Sequence, residues 1–274
     1  MRVLVALTRD ISPSMASCEL THLARVPIDV ERARAQHREY EQALTEAGCR
    51  IERLASGLDM PDSVFVEDIA IAFDELAIVT RPGAEPRRVE VPALAQALER
   101  HRPLRFIVPP GTLDGGDVLI AGRRVFVGLS TRTNADAVAQ MRQMLAPHGY
   151  TVCAVTVRGC LHLKSAVTAV ADDTLLVNPQ WIGKDVLSGF RFVEVDPAEP
   201  MAANALRVGD LVIYPDACPR TAERLARHGS TLRLVDASEV AKAEGAVTCC
   251  SVIFEANTDH GGHGGRGGTN SRTV

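Results

Sequence analysis

One order of elements recurs along this chain: an apolar strand, a turn, a second apolar strand, a helical stretch and a third strand, with a period of about 40 to 50 residues. Val64-Phe65-Val66, Leu76 to Val79, a helix from Val91 to Leu98 and Arg105 to Val108 form one unit. Val118 to Ile120, Val125 to Val127, a helix from Ala135 to Leu145 and Tyr150 to Val152 form the next. Val167 to Val170, Thr174 to Val177, a helix around Trp181 to Gly189 and Phe190 to Val193 form a third. Ala205 to Val208, Leu211 to Tyr214, a helix from Thr221 to Arg227 and Leu232 to Val235 form a fourth. A fifth can be completed only by joining the two ends: Ser251 to Phe254 would pair with Val3 to Leu7, followed by a helix from Val30 to Glu46 and a strand from Arg50 to Leu54. A unit shared between the termini ties a ring shut and removes open sheet edges. The period therefore points to a propeller or solenoid, an α/β-propeller with five ββαβ-type repeats, rather than to a doubly wound parallel sheet. The first strand is followed by no Gly-x-Gly-x-x-Gly turn, which weighs against a nucleotide-binding version of the doubly wound fold.

The repeat changes the weight of residues that say little alone. Thr248-Cys249-Cys250-Ser251 opens the last apolar strand, and a thiol at a strand mouth is a candidate nucleophile, although cysteine is also among the most buried residue types. A lone histidine such as His162 between Leu161 and Leu163 is more often a satisfied structural group, and Asp114-Gly115 between apolar runs is first a hairpin-turn signal. Asp68, Asp114, His162 and Cys249 nevertheless each fall at or near the first strand of a different unit, so the pseudo-symmetry would bring all four to one axis. Cys250, one residue along an alternating strand, is predicted to point the other way, into the core.

The 274 residues, 46% apolar, can bury a sizeable core. A net charge of −4 with interspersed signs gives no basic face, so no nucleic-acid partner is expected and a small ligand is favoured. The apolar run of the first ten residues is far too short for a signal peptide or membrane span, so a cytoplasmic protein without membrane contact is expected. Seven scattered cysteines without Cys-x-x-Cys spacing indicate neither a disulfide framework nor structural zinc. The expected domain is 1–257, one catalytic propeller, followed by a disordered Gly/His-rich tail over 258–274, whose His260 and His263 lack a fixed geometry for metal. The oligomeric state is not set by the sequence, which leaves a homodimer open.

In order and nearly without gaps from Leu4 to Phe254, the chain resembles a known family. The segments are Pro61 to Asp68, Thr80-Arg81-Pro82-Gly83-Ala84, Leu113 to Val118, Val127 to Asn134, Leu161 to Ser165, Ala202-Ala203-Asn204 and Thr248 to Ser251. They resemble the dimethylarginine dimethylaminohydrolases of the guanidino-group-modifying superfamily, which implies a five-bladed α/β-propeller. The resemblance implies Cys249 as nucleophile, His162 as general acid and base, and Asp114 as the carboxylate behind the histidine, where some relatives carry glutamate. It implies substrate contacts from Leu20, Asp62, Glu67, Asp68, Arg87, Arg132 and the backbone near Ala243. Around Cys18 to Leu23 the chain looks more like a bacterial branch than the animal enzymes, which leaves the choice of guanidino substrate open.

These residues suit the chemistry. A guanidinium is planar, delocalised and always charged, so its carbon is a poor electrophile and its nitrogens are poor leaving groups. A thiolate can add to that carbon and split one hard step into two easier ones. Cys249 would need a lowered pKa, from a nearby imidazolium or a bound cationic substrate. His162 can give a proton to the departing amine and then take one from water, and Asp114 would fix its tautomer. Either Glu67 or Asp68 can clamp the guanidinium while the other supports it. Arg87, or its neighbour Arg88, and Arg132 suit the α-carboxylate of an amino-acid substrate, and Asp62 its ammonium. The expected activity is hydrolysis of asymmetric dimethylarginine or monomethylarginine to citrulline and an alkylamine, with no metal or organic cofactor.

The rivals are a hydrolase or deiminase of another guanidino or amidino compound, and a non-catalytic propeller binding module. Arginine deiminases usually carry an added helical domain for which this chain has no length left. The joint presence of Cys249, His162, Asp114 and Asp68 discriminates against a pure binding role. Ile11 to Arg25, polar and poor in strand signals, is a candidate lid.

Overall fold

The computed structural model describes residues 2–55 and 57–257; the expected tail over 258–274 lies outside the described residues. Its strands form five three-stranded sheets. In chain order, β1 (Arg2–Arg9) and β2 (Cys49–Leu54) pair in parallel across α1 (Val30–Glu46). Next come β3 (Ala70–Ala72), β4 (Ala77–Val79), α2 (Val91–Glu99) and β5 (Leu104–Phe106), then β6 (Val118–Ala121), β7 (Arg124–Leu129), α3 (Ala135–Leu145) and β8 (Thr151–Thr156). The one-turn α4 (Leu163–Ala166) leads into β9 (Val167–Ala171), β10 (Thr174–Val177) and β11 (Arg191–Glu194). The sheet of β12 (Leu206–Val208), β13 (Leu211–Pro215) and β14 (Thr231–Val235) encloses α5 (Pro219–Arg227). After α6 (Ser238–Ala241), β15 (Val252–Asn257) returns to pair antiparallel with β1, Leu7 opposite Val252 and Val5 opposite Phe254.

Every sheet has the same plan: its middle strand is antiparallel to the innermost and parallel to the outermost. The innermost strands β3, β6, β9, β12 and β15 line one central cavity, so the sheets are the blades of a five-bladed α/β-propeller. Closure is the pairing of β15 with β1 that the sequence predicts. Capping at helix starts is local: the Asp29 side chain accepts from the N–H of Arg32 at 3.0 Å, and Asn134 from that of Ala137 at 3.1 Å. The middle strands are the most apolar, with Val5, Leu7, Ile78, Phe126, Leu176 and Ile213 sealed between cavity-facing strands and helices. Burying each such side chain is worth roughly 1.5–3 kcal/mol.

Two expected elements differ. Val64-Phe65-Val66 is not a strand: Phe65 N–H bonds Asp62 O at 2.9 Å and Val66 N–H bonds Val64 O at 2.9 Å, so the donors a ladder needs are used locally, and the strand starts only at Ala70. The helix expected around Trp181 to Gly189 is a single 3-10 turn, Lys184–Leu187. Gly189, at φ +92°, ends it in a left-handed conformation that favours glycine.

Candidate active site

Immediately before the innermost strands, the chain turns inward, and those turns carry the functional side chains. Asp68 sits in a 3-10 turn, Val66–Ile69, ahead of β3; Asp114 precedes the turn Gly115–Asp117 ahead of β6; His162 is the N-cap position of α4 ahead of β9; Cys249 precedes β15. The four line one cleft at one end of the propeller axis, with Asp62, Arg87, Arg132 and Ala243. The Asp114-Gly115 signal is therefore not a hairpin turn. A Cβ on Gly115 would lie 1.9 Å from Glu67 O, and one on Gly116 would lie 2.6 Å from His162 Nδ1 and 2.9 Å from Asp68 Oδ1. Only hydrogen at both positions lets the acid, the imidazole and the Asp68 carboxylate come together.

His162 is nearly sealed from solvent; its Nε2 is 3.2 Å from Asp114 Oδ2, and its Nδ1 is 3.9 Å from Asp68 Oδ1. Burial works against its charge, but Asp68, the hydrogen bond to Asp114 and the nearby Asp117 more than offset it and push the imidazole up to about 9. Asp114 is itself fixed: its Oδ1 accepts the Gly83 N–H at 2.9 Å, and its own N–H donates to Thr133 Oγ1 at 3.1 Å. Asp117, a residue of the same motif with no expected role, accepts Leu163 N–H at 3.0 Å and Ser130 Oγ–H at 2.6 Å, and so anchors the turn that presents His162.

Asp68 accepts from Arg87 Nη1 at 2.6 Å and from Gly116 N–H at 3.1 Å. Burial opposes its ionisation, yet His162 and Arg87 hold it below the usual carboxylate range. Arg87 is equally sealed: Nε and Nη2 donate to Glu90 at 3.2 and 3.0 Å, and Nη2 to Phe65 O at 3.0 Å. The guanidinium expected to meet a substrate carboxylate thus lines the cleft as the partner of Asp68 and Glu90. Glu67 also differs from a direct clamp. Consecutive side chains diverge by roughly a third of a turn in a 3-10 helix, and Glu67 is absent from the cleft lining; it faces the central cavity, bonded to Lys164 Nζ at 2.5 Å and Thr248 Oγ1 at 2.7 Å.

Cys249 is buried, and its thiol lies well above its ordinary range, because burial comes first and then the negative charges of Glu67 and Asp68. The lowered value expected for the nucleophile is therefore not supplied by the protein groups around it. Cys250 packs in the core beside Tyr40 and Val240, as predicted. Asp62 accepts the Glu19 N–H with both oxygens, at 3.1 and 3.2 Å, and burial raises its pKa. Arg132, half-buried, donates to Thr21 Oγ1 at 2.9 Å. Leu20 packs on the core next to the cleft, and its neighbour Glu19 lines the opening instead. Glu244 was not singled out by sequence because its role is one of backbone contacts: its carboxylate accepts the N–H groups of Thr21, His22 and Leu23 at 2.9, 2.5 and 2.6 Å.

Asp68, Asp114 and His162 offer atoms within 4.8 Å of one another, a spacing a metal could use. The same acids raise the imidazole to about 9, so His162 here carries a proton that it can transfer. A sealed thiol, an imidazolium backed by one carboxylate and a second carboxylate poised for a cation define a cysteine hydrolase of C–N bonds on a propeller.

The comparisons narrow the class. The family model described as N,N dimethylarginine dimethylhydrolase, eukaryotic, matches residues 23–188. The N(G),N(G)-dimethylarginine dimethylaminohydrolase of Streptomyces coelicolor is 43% identical over 249 residues, covering 90% of this chain and 95% of that protein. The solved enzyme of the same name from Pseudomonas aeruginosa, a cysteine-to-serine mutant complexed with citrulline, superposes with a TM-score of 0.88 at 34% identity, covering 92% of this chain and 99% of that one. A second structure, a histidine-to-glycine adduct with S-methyl-L-thiocitrulline, gives 0.87 at 34% identity over 92% and 100%. The chain belongs to the dimethylarginine dimethylaminohydrolase family.

Proposed function

We propose that this protein hydrolyses Nω,Nω-dimethyl-L-arginine and monomethylarginine to L-citrulline and the alkylamine through a covalent Cys249 intermediate. The observation that carries the reading is the convergence of Cys249, His162, Asp114 and Asp68, from four different blades, on one sealed cleft. The substrate guanidinium seats against Asp68, whose far oxygen stays with Arg87. Its positive charge compensates the acids that hold the Cys249 proton, and the thiol ionises by losing that proton to solvent water, His162 being already protonated.

The sulfur then adds to the guanidinium carbon. As the tetrahedral adduct breaks its C–N bond, His162 gives its proton to the departing dimethylamine and a thiouronium remains. Neutral His162 takes a proton from water, the hydroxide adds to the same carbon, and collapse breaks the C–S bond to release the thiolate; the O–H proton of the departing product passes to solvent, where the free amine takes one up, and citrulline remains. Asp114 orients the ring throughout and stabilises its charged form. Arg132 takes the substrate carboxylate, Asp62 the ammonium, and Leu20 with the backbone at Ala243 bounds the side-chain tunnel; Glu67 acts from behind the thiol. All of this belongs to one catalytic domain, 1–257, whose first and last strands share a blade.

The cytoplasm is the proposed compartment: among the described residues no helix is long and apolar enough to cross a membrane, and all seven cysteines are unpaired. The test incubates the protein and its Cys249→Ser variant with dimethylarginine, monomethylarginine and arginine without added metal. Citrulline from the methylated substrates, lost in the variant, is the expected result. No citrulline from any of them, with Cys249 still alkylatable, sinks the substrate assignment.

A further inference from the structure

The side of Cys249 away from the cleft is closed by a polar cluster in which the reaction above gives a part to Glu67 alone. Thr248, the residue before the nucleophile, is held on every polar atom of its side chain and by its N–H. Its Oγ1 donates to Glu67 Oε2 at 2.7 Å and accepts from Asn204 Nδ2 at 3.0 Å, and its N–H donates to Asn204 Oδ1 at 3.1 Å. Asn204 Nδ2 also reaches Lys164 O at 3.2 Å, Lys164 Nζ bonds Glu67 Oε1 at 2.5 Å, and the Glu67 N–H returns to Cys249 O at 3.1 Å. The ring of contacts joins four blades. It contains one buried carboxylate and one ammonium, and the carboxylate is bonded to the residue beside the thiol. We propose that the Glu67–Lys164 pair, fastened to the nucleophile through Thr248 and Asn204, governs the ionisation of Cys249, with Lys164 and Asn204 as positioning residues for the reaction.

The charge arithmetic follows from the placement. Glu67 touches Thr248 directly, while Lys164 touches only Glu67 and, through its carbonyl, Asn204, so the negative end of the pair is nearer the sulfur. A neutral pair with its negative end forward opposes a thiolate; the same site with only the cation left would favour one. Burial leaves Glu67 above the usual carboxylate range, and Lys164 and Thr248 offset that only in part; the 2.5 Å contact with Lys164 Nζ is what pairs the two groups. The other charged and titratable groups around Cys249 are the acids Asp62, Asp68, Asp114, Glu19 and Glu244, the cations Arg87, Arg132 and His162 in the cleft, and Cys250 with Tyr40 behind it. Substitutions at Glu67 or Lys164 leave all of these side chains in place, although Cys250 and Tyr40 also feel the Glu67 charge, which is why Cys249 labelling is read separately from that of Cys250. This inference rests on Cys249 being the nucleophile.

The test is the pH dependence of Cys249 alkylation by iodoacetamide in substrate-free protein, read on fragment ions that separate Cys249 from Cys250. In Glu67→Gln the amide oxygen still accepts from Lys164, and the uncompensated cation should lower the midpoint by about one pH unit, making labelling at pH 7 about tenfold faster. The double variant Glu67→Gln with Lys164→Gln, neutral throughout, should fall between that and wild type, and Lys164→Arg should keep the wild-type midpoint. Coincident midpoints in the four proteins overturn the proposal. If Glu67→Gln alone does not fold, the double variant decides: a midpoint below wild type supports the pair, and an equal one rejects it. Citrulline production is measured alongside. Shifted midpoints without citrulline reject the substrate and keep the pair; citrulline with unshifted midpoints rejects the pair alone.

Discussion

Arg87 Nη1 lies 2.6 Å from Asp68 Oδ2, and both side chains are almost wholly sealed from solvent. Two charges removed from water hold each other, and Glu90 completes the set on the other side of the guanidinium. Burial of that order makes the pair expensive to break rather than strongly stabilising in itself, because the partner left behind stays charged and dry.

Arg87→Met should therefore destabilise the fold by about 3–5 kcal/mol, since Asp68 and Glu90 both lose their counter-charge. Urea denaturation at pH 7 reads this directly. An unchanged urea midpoint together with a raised KM would mean that Arg87 is free to hold the substrate carboxylate and that its pairing with Asp68 is dispensable.

His162 ties stability to pH. Its folded value of about 9 exceeds the unfolded value of roughly 6.5, so the protonated ring stabilises the fold fully below about pH 6.5. That contribution, on the order of 3 kcal/mol, is lost as the pH rises through about 9. Urea midpoints at pH 6.5 and 9.5 should fall further in wild type than in His162→Gln. Equal falls would show that the ring carries no extra charge in the fold.

Glu244 fastens the segment over the cleft by three consecutive backbone N–H groups, from a residue at φ +58° that few side chains adopt. Glu244→Ala should speed amide exchange at His22 and Leu23 at least tenfold and raise KM more than it lowers kcat, because the opening no longer closes. Exchange at Met15 and Cys18, which are already buried, should hardly change. Wild-type exchange rates at His22 in the variant would remove Glu244 as the fastener and leave Arg132, through Thr21, to do that work.

Much of the fold was legible because its signals are short-range. The strand and helix of the second blade fall within a residue or two of Val118 to Ile120 and Ala135 to Leu145, where apolar period and the Asn134 cap act over a few positions. The closing pair of β15 with β1 was legible for a different reason: four complete units left one unfinished at each end. Where expectation and structure part, at Val64 to Val66, the residues have strand propensity but local hydrogen bonds take the backbone donors first. The glycines at 115 and 116 read as a turn because the sequence does not display what presses on them: Glu67 O on one, His162 and Asp68 on the other.

By itself the sequence determined the blade order, the closure and the four residues that converge, since each follows from local propensity repeated at a fixed period. Only the tertiary structure decided what those residues are charged with and which way they face. Glu67 and Asp68 are neighbours in the chain yet look into different cavities, Arg87 is held by Asp68 and Glu90, and the Cys249 thiol is pushed up rather than down. These are sums over groups far apart in sequence and close in space, in a medium that scarcely screens them. Composition and spacing hold no term for that sum.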